Sequence, residues 1–240
     1  MKLKVAYIFI LTILVIVATS RVTVSQPSSY LPPLKAHPLP PTLAQWETVA
    51  EVGDYFSEVE ATPLGYLVWS AFPVKVYLDL SASSEDQGLQ GWVEAVTTAM
   101  QEWAVYLPLE QINDRAQADI IIARSRPPLN TTRNPETGLI ELSRARTART
   151  RYQFEIVDRQ LTHQMLIEMS PGQRQAATLA TARHEIGHAL GIWGHSPHRE
   201  DALYFSQVRD FPSISERDIN TLQKIYQQPT RLGWDIRTSR

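Results

Sequence analysis

Four of the chain's six histidines fall in a stretch of fifteen residues, from His184 to His198. His184 and His188 are four positions apart, so a helix through them would project both imidazoles from one face. Two neutral imidazoles placed in this way can bind one Zn²⁺ at about 2.0–2.1 Å each. Glu185 would lie close enough to hold a water on that ion without being a ligand itself. The spacing therefore predicts a zinc site with a carboxylate beside it.

A third ligand is expected just after this helix. Gly191 tolerates the left-handed backbone that ends a helix and turns the chain back, and His195 follows the turn. His198 competes for the role, but Pro197 stiffens the chain before it and favours an extended backbone that carries the side chain away. The predicted metal ligands and the predicted catalytic carboxylate are therefore His184, His188, His195 and Glu185.

The run H-E-x-x-H-x-x-G, followed by His195-Ser196, resembles the motif of the metzincin metallopeptidases and is closest to the matrixin type. The usual spacing would place the third histidine at Gly194, so this chain has one extra residue in the turn. A methionine in a tight turn lies beneath the zinc in metzincins, and Leu203 occupies the similar place here. The resemblance extends over residues 66–228, with Q-A-D-I-I-I-A before the motif and S-E-R-D-I-N-x-L-Q-x-I-Y after it.

The resemblance implies an α+β, metzincin-like domain, with a twisted mixed sheet packed on long helices. It also implies a zinc-dependent metalloendopeptidase that hydrolyses peptide bonds in extracytoplasmic proteins through Glu185-assisted attack of a zinc-bound water. The expected partners are protein or peptide substrates. Zn²⁺ is the expected catalytic cofactor, and whether Ca²⁺ also binds cannot be read from the sequence. A net charge of −2 gives no field that would recruit nucleic acid.

Two alternatives stay open at this point. In gluzincins the third ligand is a glutamate from a later helix, but Gly191 ends the predicted helix one turn after His188. A non-catalytic surface domain that is stabilised by zinc or binds peptides is the alternative from another functional class. Glu185 argues against it, because a structural site gains nothing obvious from a carboxylate beside an open coordination position.

The N-terminus predicts export. Two lysines precede an apolar run at residues 5–18, and a polar stretch follows, which is typical of a signal peptide or an N-terminal anchor over residues 1–25. We expect a secreted or periplasmic protein, attached to the membrane if the segment is retained. The complete lack of cysteine excludes disulfides, thiolate ligands and latency through a zinc-bound cysteine.

Composition and periodicity divide the remainder. Proline-rich residues 26–64 predict a linker and candidate pro-segment, residues 65–230 the catalytic domain, and residues 231–240 a tail. We expect an amphipathic helix at residues 42–60 and a helix at 89–106. Strands are expected at residues 72–79 and 117–123, followed by a hairpin that turns near Asp158. Capping boxes at Ser170 and Ser215 should open the motif helix and the closing helix.

Two histidines outside the motif are not expected to bind metal. His37 lies in the proline-rich stretch and is predicted to be solvated. His163 lies on the second strand of the hairpin, in the part of the chain where matrixins often hold a structural zinc through a His-x-Asp cluster. No such cluster occurs here, so His163 is predicted to be packed or exposed.

Overall fold

The computed structural model describes residues 29–81, 88–128, 131–133, 140–142, 146–206, 208 and 210–238. The predicted export segment lies outside these residues. Among the helices of the described part, none is both long and apolar enough to cross a bilayer.

The strands of the described residues fall into one main sheet and two small ones. They are β1 (Ser29–Tyr30), β2 (Val74–Asp79), β3 (Leu109–Ile112), β4 (Ile120–Ala123), β5 (Thr131–Arg133), β6 (Ile140–Leu142), β7 (Ala148–Val157), β8 (Gln160–Met169) and β9 (Arg237–Thr238). The main sheet has the order β3-β2-β4-β8-β7, while β1 pairs with β9 and β5 with β6. Within the main sheet only β7 runs antiparallel to its neighbour. The α+β expectation with a mixed sheet is confirmed.

The two strands predicted before the hairpin are present as β2 and β4, and the burial of their side chains matches the apolar patterns in the sequence. In β2 every second residue is buried, whereas Ile120, Ile121 and Ile122 of the central strand β4 are all buried. The hairpin of β7 and β8 turns at Asp158 and Arg159, both with positive φ (47° and 70°). That backbone matches the twist of a two-residue hairpin turn, and the predicted hairpin is confirmed.

The helices are α1 (Pro41–Ala44), α2 (Leu89–Ala104), α3 (Gln175–Ala189) and α4 (Glu216–Tyr226), with single 3₁₀ turns at Phe56–Glu58 and Arg115–Gln117. Helix α2 packs along α3, which carries the motif. The Trp103 indole donates to the Arg183 carbonyl at 2.9 Å, and the Arg183 guanidinium binds both Glu102 oxygens. This contact fixes α3 immediately before its first histidine.

The predicted helix at residues 42–60 is wrong. Only α1 and a 3₁₀ turn form there, while Leu43, Tyr55 and Val59 are buried in the domain core. Side-chain amides of α4 satisfy the backbone carbonyls that a helix would have paired within itself. These bonds run from Asn220 to Val49 and Gly53, and from Gln223 to Leu43 and Trp46. Hydrogen bonds to α4 therefore hold this stretch in a largely non-helical course.

Capping was predicted correctly for one helix and wrongly for another. At α4, Ser215 and Asp218 each accept the backbone N–H of the other, which confirms the capping box. Helix α3 begins at Gln175, and its N-cap Arg174 makes no side-chain capping bond. The Ser170 N–H instead donates to Thr147, and the Gln173 amide oxygen accepts from Thr181, so neither residue is available for a box.

His37 is not simply solvated. Its ring stacks on Trp234 at 4.1 Å between centroids, and its Nε2 lies 2.8 Å from the Leu232 carbonyl oxygen. The segment that leads into the domain is therefore attached to the C-terminal residues, a contact nearly two hundred positions apart in the sequence.

Candidate metal centre and active site

The three predicted ligands lie together. One ring nitrogen each of His184, His188 and His195 falls within 4.8 Å of the other two. Helix α3 contributes the first two, which lie one turn apart on its surface, and the loop after α3 contributes the third. His198 is exposed and is not part of this cluster.

Hydrogen bonds orient the two helical histidines. Nδ1 of His184 lies 2.9 Å from the Ala202 carbonyl oxygen, and Nδ1 of His188 lies 2.7 Å from that of Ile192. Because a carbonyl can only accept, each Nδ1 must carry the hydrogen, which leaves each Nε2 with a lone pair. Carbonyl oxygens that accept from the other ring nitrogen commonly orient metal-binding histidines in this manner.

The resulting donor set fits a metal ion. The Nε2 atoms of His184 and His188 are 3.0 Å apart, close to the roughly 3.3 Å between ligand atoms of a tetrahedral site with 2.0–2.1 Å bonds. Two lone pairs facing each other at this distance repel unless a cation lies between them. Burial lowers the pKa of His188 well below its usual value, which keeps the ring in its neutral, ligating form. Neutral imidazoles of this kind suit Zn²⁺.

Glu185 lies beside the cluster without belonging to it. Its side chain is buried, and one oxygen, Oε2, accepts a 2.6 Å bond from the Thr150 hydroxyl on β7. Burial raises the pKa of the Glu185 carboxyl, while His184, the Thr150 bond and Arg146 act in the opposite direction. A desolvated carboxylate with one oxygen held in place is arranged to exchange a proton with a neighbouring group.

The family model of the matrixins, peptidase family M10, matches residues 75–227, more than half of the chain. The chain belongs to the matrixin family. No curated protein matches the sequence. Membership implies zinc metallopeptidase activity, a catalytic zinc ion and protein or peptide substrates.

Leu203 lies beside the helix turn that carries the two histidines, and it stands where the resemblance places the family's methionine. Leu203 is fully buried, and a Cβ built on Gly187 would lie 2.6 Å from its Cδ2 atom. Gly187 lies on α3 between the two histidines, so the absence of a side chain lets Leu203 approach the helix at the turn that carries both ligands. Leucine has a volume similar to that of the family's methionine, and neither side chain serves as a metal ligand.

The loop that carries His195 is supported from both sides. Gly191 has φ +122°, and a Cβ there would lie 2.2 Å from the Leu67 carbonyl oxygen, so this matrixin requires glycine at the turn. Before His195, the Trp193 carbonyl accepts from the Glu60 N–H at 2.9 Å, and Gly194 pairs with Val59.

After His195, Ser196 is held by two bonds. Its N–H donates to the Leu203 carbonyl at 2.8 Å, and its hydroxyl donates to Asp201 at 2.5 Å. Asp201 is fully buried and also binds the Arg217 guanidinium at 2.7 Å. Thr150, Asp201 and Arg217 therefore shape the site, although none of them was predicted from the sequence to have a role in it. Their role follows only from the way α4 and β7 pack against the motif.

A cavity of about 780 Å³ runs along α3 from the metal cluster towards the start of the helix. His184 and Glu185 line one end, and Phe205 and Phe211 form an exposed apolar rim. The outer edge of β7 pairs with no other described strand. The residues around the cluster thus include an open strand edge and a cavity that runs along α3.

His163 is packed, as one of the two expected outcomes. It is buried against Trp69 with 3.9 Å between ring centroids, and its Nε2 has no hydrogen-bond partner among the described residues. Burial lowers the pKa of His163 to about 3. It belongs to no metal-binding group within the described part of the chain.

Proposed function

We propose that this matrixin is a zinc-dependent metalloendopeptidase of extracytoplasmic proteins, with His184, His188 and His195 as zinc ligands and Glu185 as the catalytic acid–base. One observation carries the proposal: two carbonyl-oriented imidazoles present facing Nε2 atoms 3.0 Å apart, with a buried carboxylate on the same helix turn.

Glu185 has the position and the environment of a proton carrier. When bound, zinc supplies Lewis-acid chemistry that activates a water and stabilises charge on the scissile carbonyl oxygen. Glu185 takes the proton of the attacking water and then delivers it to the leaving amine. Thr150 holds Oε2, so Oε1 is the oxygen that faces this exchange. The raised pKa of the buried carboxyl strengthens it as a base.

An extended substrate is proposed to pair with the open edge of β7. Thr150 belongs to this strand and bonds directly to Glu185, so a peptide added along β7 would pass the carboxylate. A side chain next to the scissile bond could then enter the cavity between α3 and the exposed Phe205 and Phe211.

Three histidines favour catalysis over a purely structural site. Structural zinc is usually bound by four protein ligands, whereas the described residues around this cluster supply three. Glu185 and the cavity lie next to these three histidines, and a buried carboxylate beside an accessible ion would suit a catalytic site.

The test is Glu185→Ala in zinc-loaded protein, assayed on an unfolded protein substrate. We expect zinc content near that of the wild type and a loss of hydrolysis by several orders of magnitude, since the base and the positioning of water are lost together. Glu94→Ala, at an exposed glutamate on α2, is the control and should keep full activity. Near-normal turnover of zinc-loaded Glu185→Ala protein would exclude the mechanism.

We further propose that residues 1–25 export the chain and that residues 65–230 form its catalytic domain. The support for export is the pattern of two lysines, an apolar run and a polar end. N-terminal sequencing of the exported product should show either loss of this segment or its retention as an anchor. Intact chain dissolved in the cytoplasm would contradict both outcomes.

A further inference from the structure

The two kinds of ligand in the cluster are held by different means. His184 and His188 are oriented through their own Nδ1 atoms by backbone carbonyls. The ring of His195 has no hydrogen bond of this kind to any described residue, and its side chain is exposed. The position of His195 therefore depends on how its backbone is held.

The backbone before His195 is held by a segment that precedes the whole catalytic sheet. The Glu60 N–H donates to the Trp193 carbonyl at 2.9 Å, and Val59 and Gly194 form an antiparallel bridge. The contact is close: a Cβ built on Gly194 would lie 2.1 Å from the Glu58 carbonyl oxygen. Residues Glu58–Glu60, which run from the end of the 3₁₀ turn into a single antiparallel bridge, thus lie directly against the ligand loop.

The contact lies where the loop most needs it. The turn from Gly191 to His195 is one residue longer than in the metzincin motif. Each added residue brings backbone freedom that must be lost before the ligand is in position. Gly194, within this longer turn, lies directly against Glu58 and Val59, which restrict its backbone.

We propose that residues Glu58–Glu60 position His195. The segment before the sheet would then have to remain part of the protein to support zinc binding. This inference rests on the proposed role of His195 as a zinc ligand. A consequence is that a processing cut that removed Glu58–Glu60 would weaken zinc binding. The segment would then be a required part of the mature enzyme and not an excised inhibitor.

Glu60→Pro removes the hydrogen bond from the Glu60 N–H to the Trp193 carbonyl. Proline has no N–H to donate to Trp193. Val59 already has φ −93° and ψ 124°, the extended backbone that a following proline requires. Glu60→Ala is the matched control, because it removes the side chain and retains the N–H.

The readout is the zinc dissociation constant, measured by competition with a chromogenic chelator, beside the thermal unfolding temperature of the metal-free protein. We expect Glu60→Pro to weaken zinc binding by about 10–100-fold, as loss of an outer-shell support does, and Glu60→Ala to match the wild type. Excess zinc should restore most of the hydrolysis of Glu60→Pro. A merely structural role would lower the unfolding temperature and leave zinc affinity unchanged.

Gly194→Ala tests the same contact from the other side, with Gly172→Ala, where a Cβ meets no atom within 4 Å, as control. Gly194→Ala should also weaken zinc binding, and it tests the inference by itself if Glu60→Pro fails to fold. Unchanged zinc affinity in the folded variants would overturn the inference. If the zinc-loaded wild type cleaves no peptide while Glu60→Pro or Gly194→Ala still weakens zinc binding, the inference is supported and the proposed function is contradicted.

Discussion

The two halves of the metal cluster differ in how far apart in sequence their supports lie. The helical half, with His184 and His188, is placed by the internal hydrogen bonds of α3 and by the spacing of one helix turn, as is the neighbouring Glu185. The loop half, with His195, depends on Val59 and Glu60, more than 130 positions earlier. A ligand on a helix takes its position from local sequence, whereas a ligand on a loop takes it from whatever packs against the loop.

The helical half is also clamped at more points. Trp103 and Glu102 hold Arg183 just before the first histidine, and Thr150 holds Glu185. Leu203 fills the space beside Gly187. These contacts come from α2, β7 and the loop after the motif, so the core of the domain surrounds this half. The loop half has residues Glu58–Glu60 on one side and Ser196 on the other.

The largest effect should come from removing the loop ligand itself. His195→Ala should lose both zinc and hydrolysis, because two histidines alone hold zinc poorly, and the loss should exceed the roughly 10–100-fold cost of an outer-shell change. His198→Ala should keep most of each, since its side chain is exposed and outside the cluster. Zinc content after dialysis and peptide hydrolysis would measure this. The reverse pattern would move the ligand to His198.

A smaller effect should follow from Tyr55→Phe. The Tyr55 hydroxyl donates to Asp218 at 2.5 Å, and Asp218 accepts from the N–H of Ala202, whose carbonyl orients His184. Loss of this buried bond should lower the free energy of unfolding by about 1–3 kcal/mol. Urea unfolding at neutral pH would measure it.

Tyr66→Phe is the control for that change, because the Tyr66 hydroxyl bonds to no described residue and its ring still stacks on Phe56. If both variants unfold alike, Tyr55 does not connect the early segment to the site.

The smallest effect is expected for Leu203→Met. The volume is nearly conserved, so the free energy of unfolding should change by less than about 1.5 kcal/mol, and zinc affinity should hold. Leu203→Ala, which opens a cavity beside Gly187, should cost about 2–5 kcal/mol. A large loss of zinc affinity in Leu203→Met would show that Leu203 contributes more to the metal site than packing.

Much of the fold could be predicted because its patterns are local. Helix α2, strand β2, the β7–β8 hairpin and the Ser215 capping box each depend on residues a few positions apart. The predicted helix at residues 42–60 is absent because Asn220 and Gln223 of α4 bond the backbone carbonyls that a helix would have paired within itself. The prediction that His37 is solvated failed for a similar reason, since its ring stacks on Trp234, which is distant in sequence.

By itself the sequence determined the ligand types, the one-turn spacing of His184 and His188, the placement of Glu185 between them and the glycine turn that follows. A helix converts that spacing directly into geometry, because its rise and twist per residue are constant. Only the tertiary structure decided that Thr150 holds Glu185, that Asp201 and Arg217 secure Ser196, and that Glu58–Glu60 lie against the loop of His195. Those contacts join segments whose separation in the chain carries no periodic signal, and they exist only once the sheet, α3 and α4 have packed together.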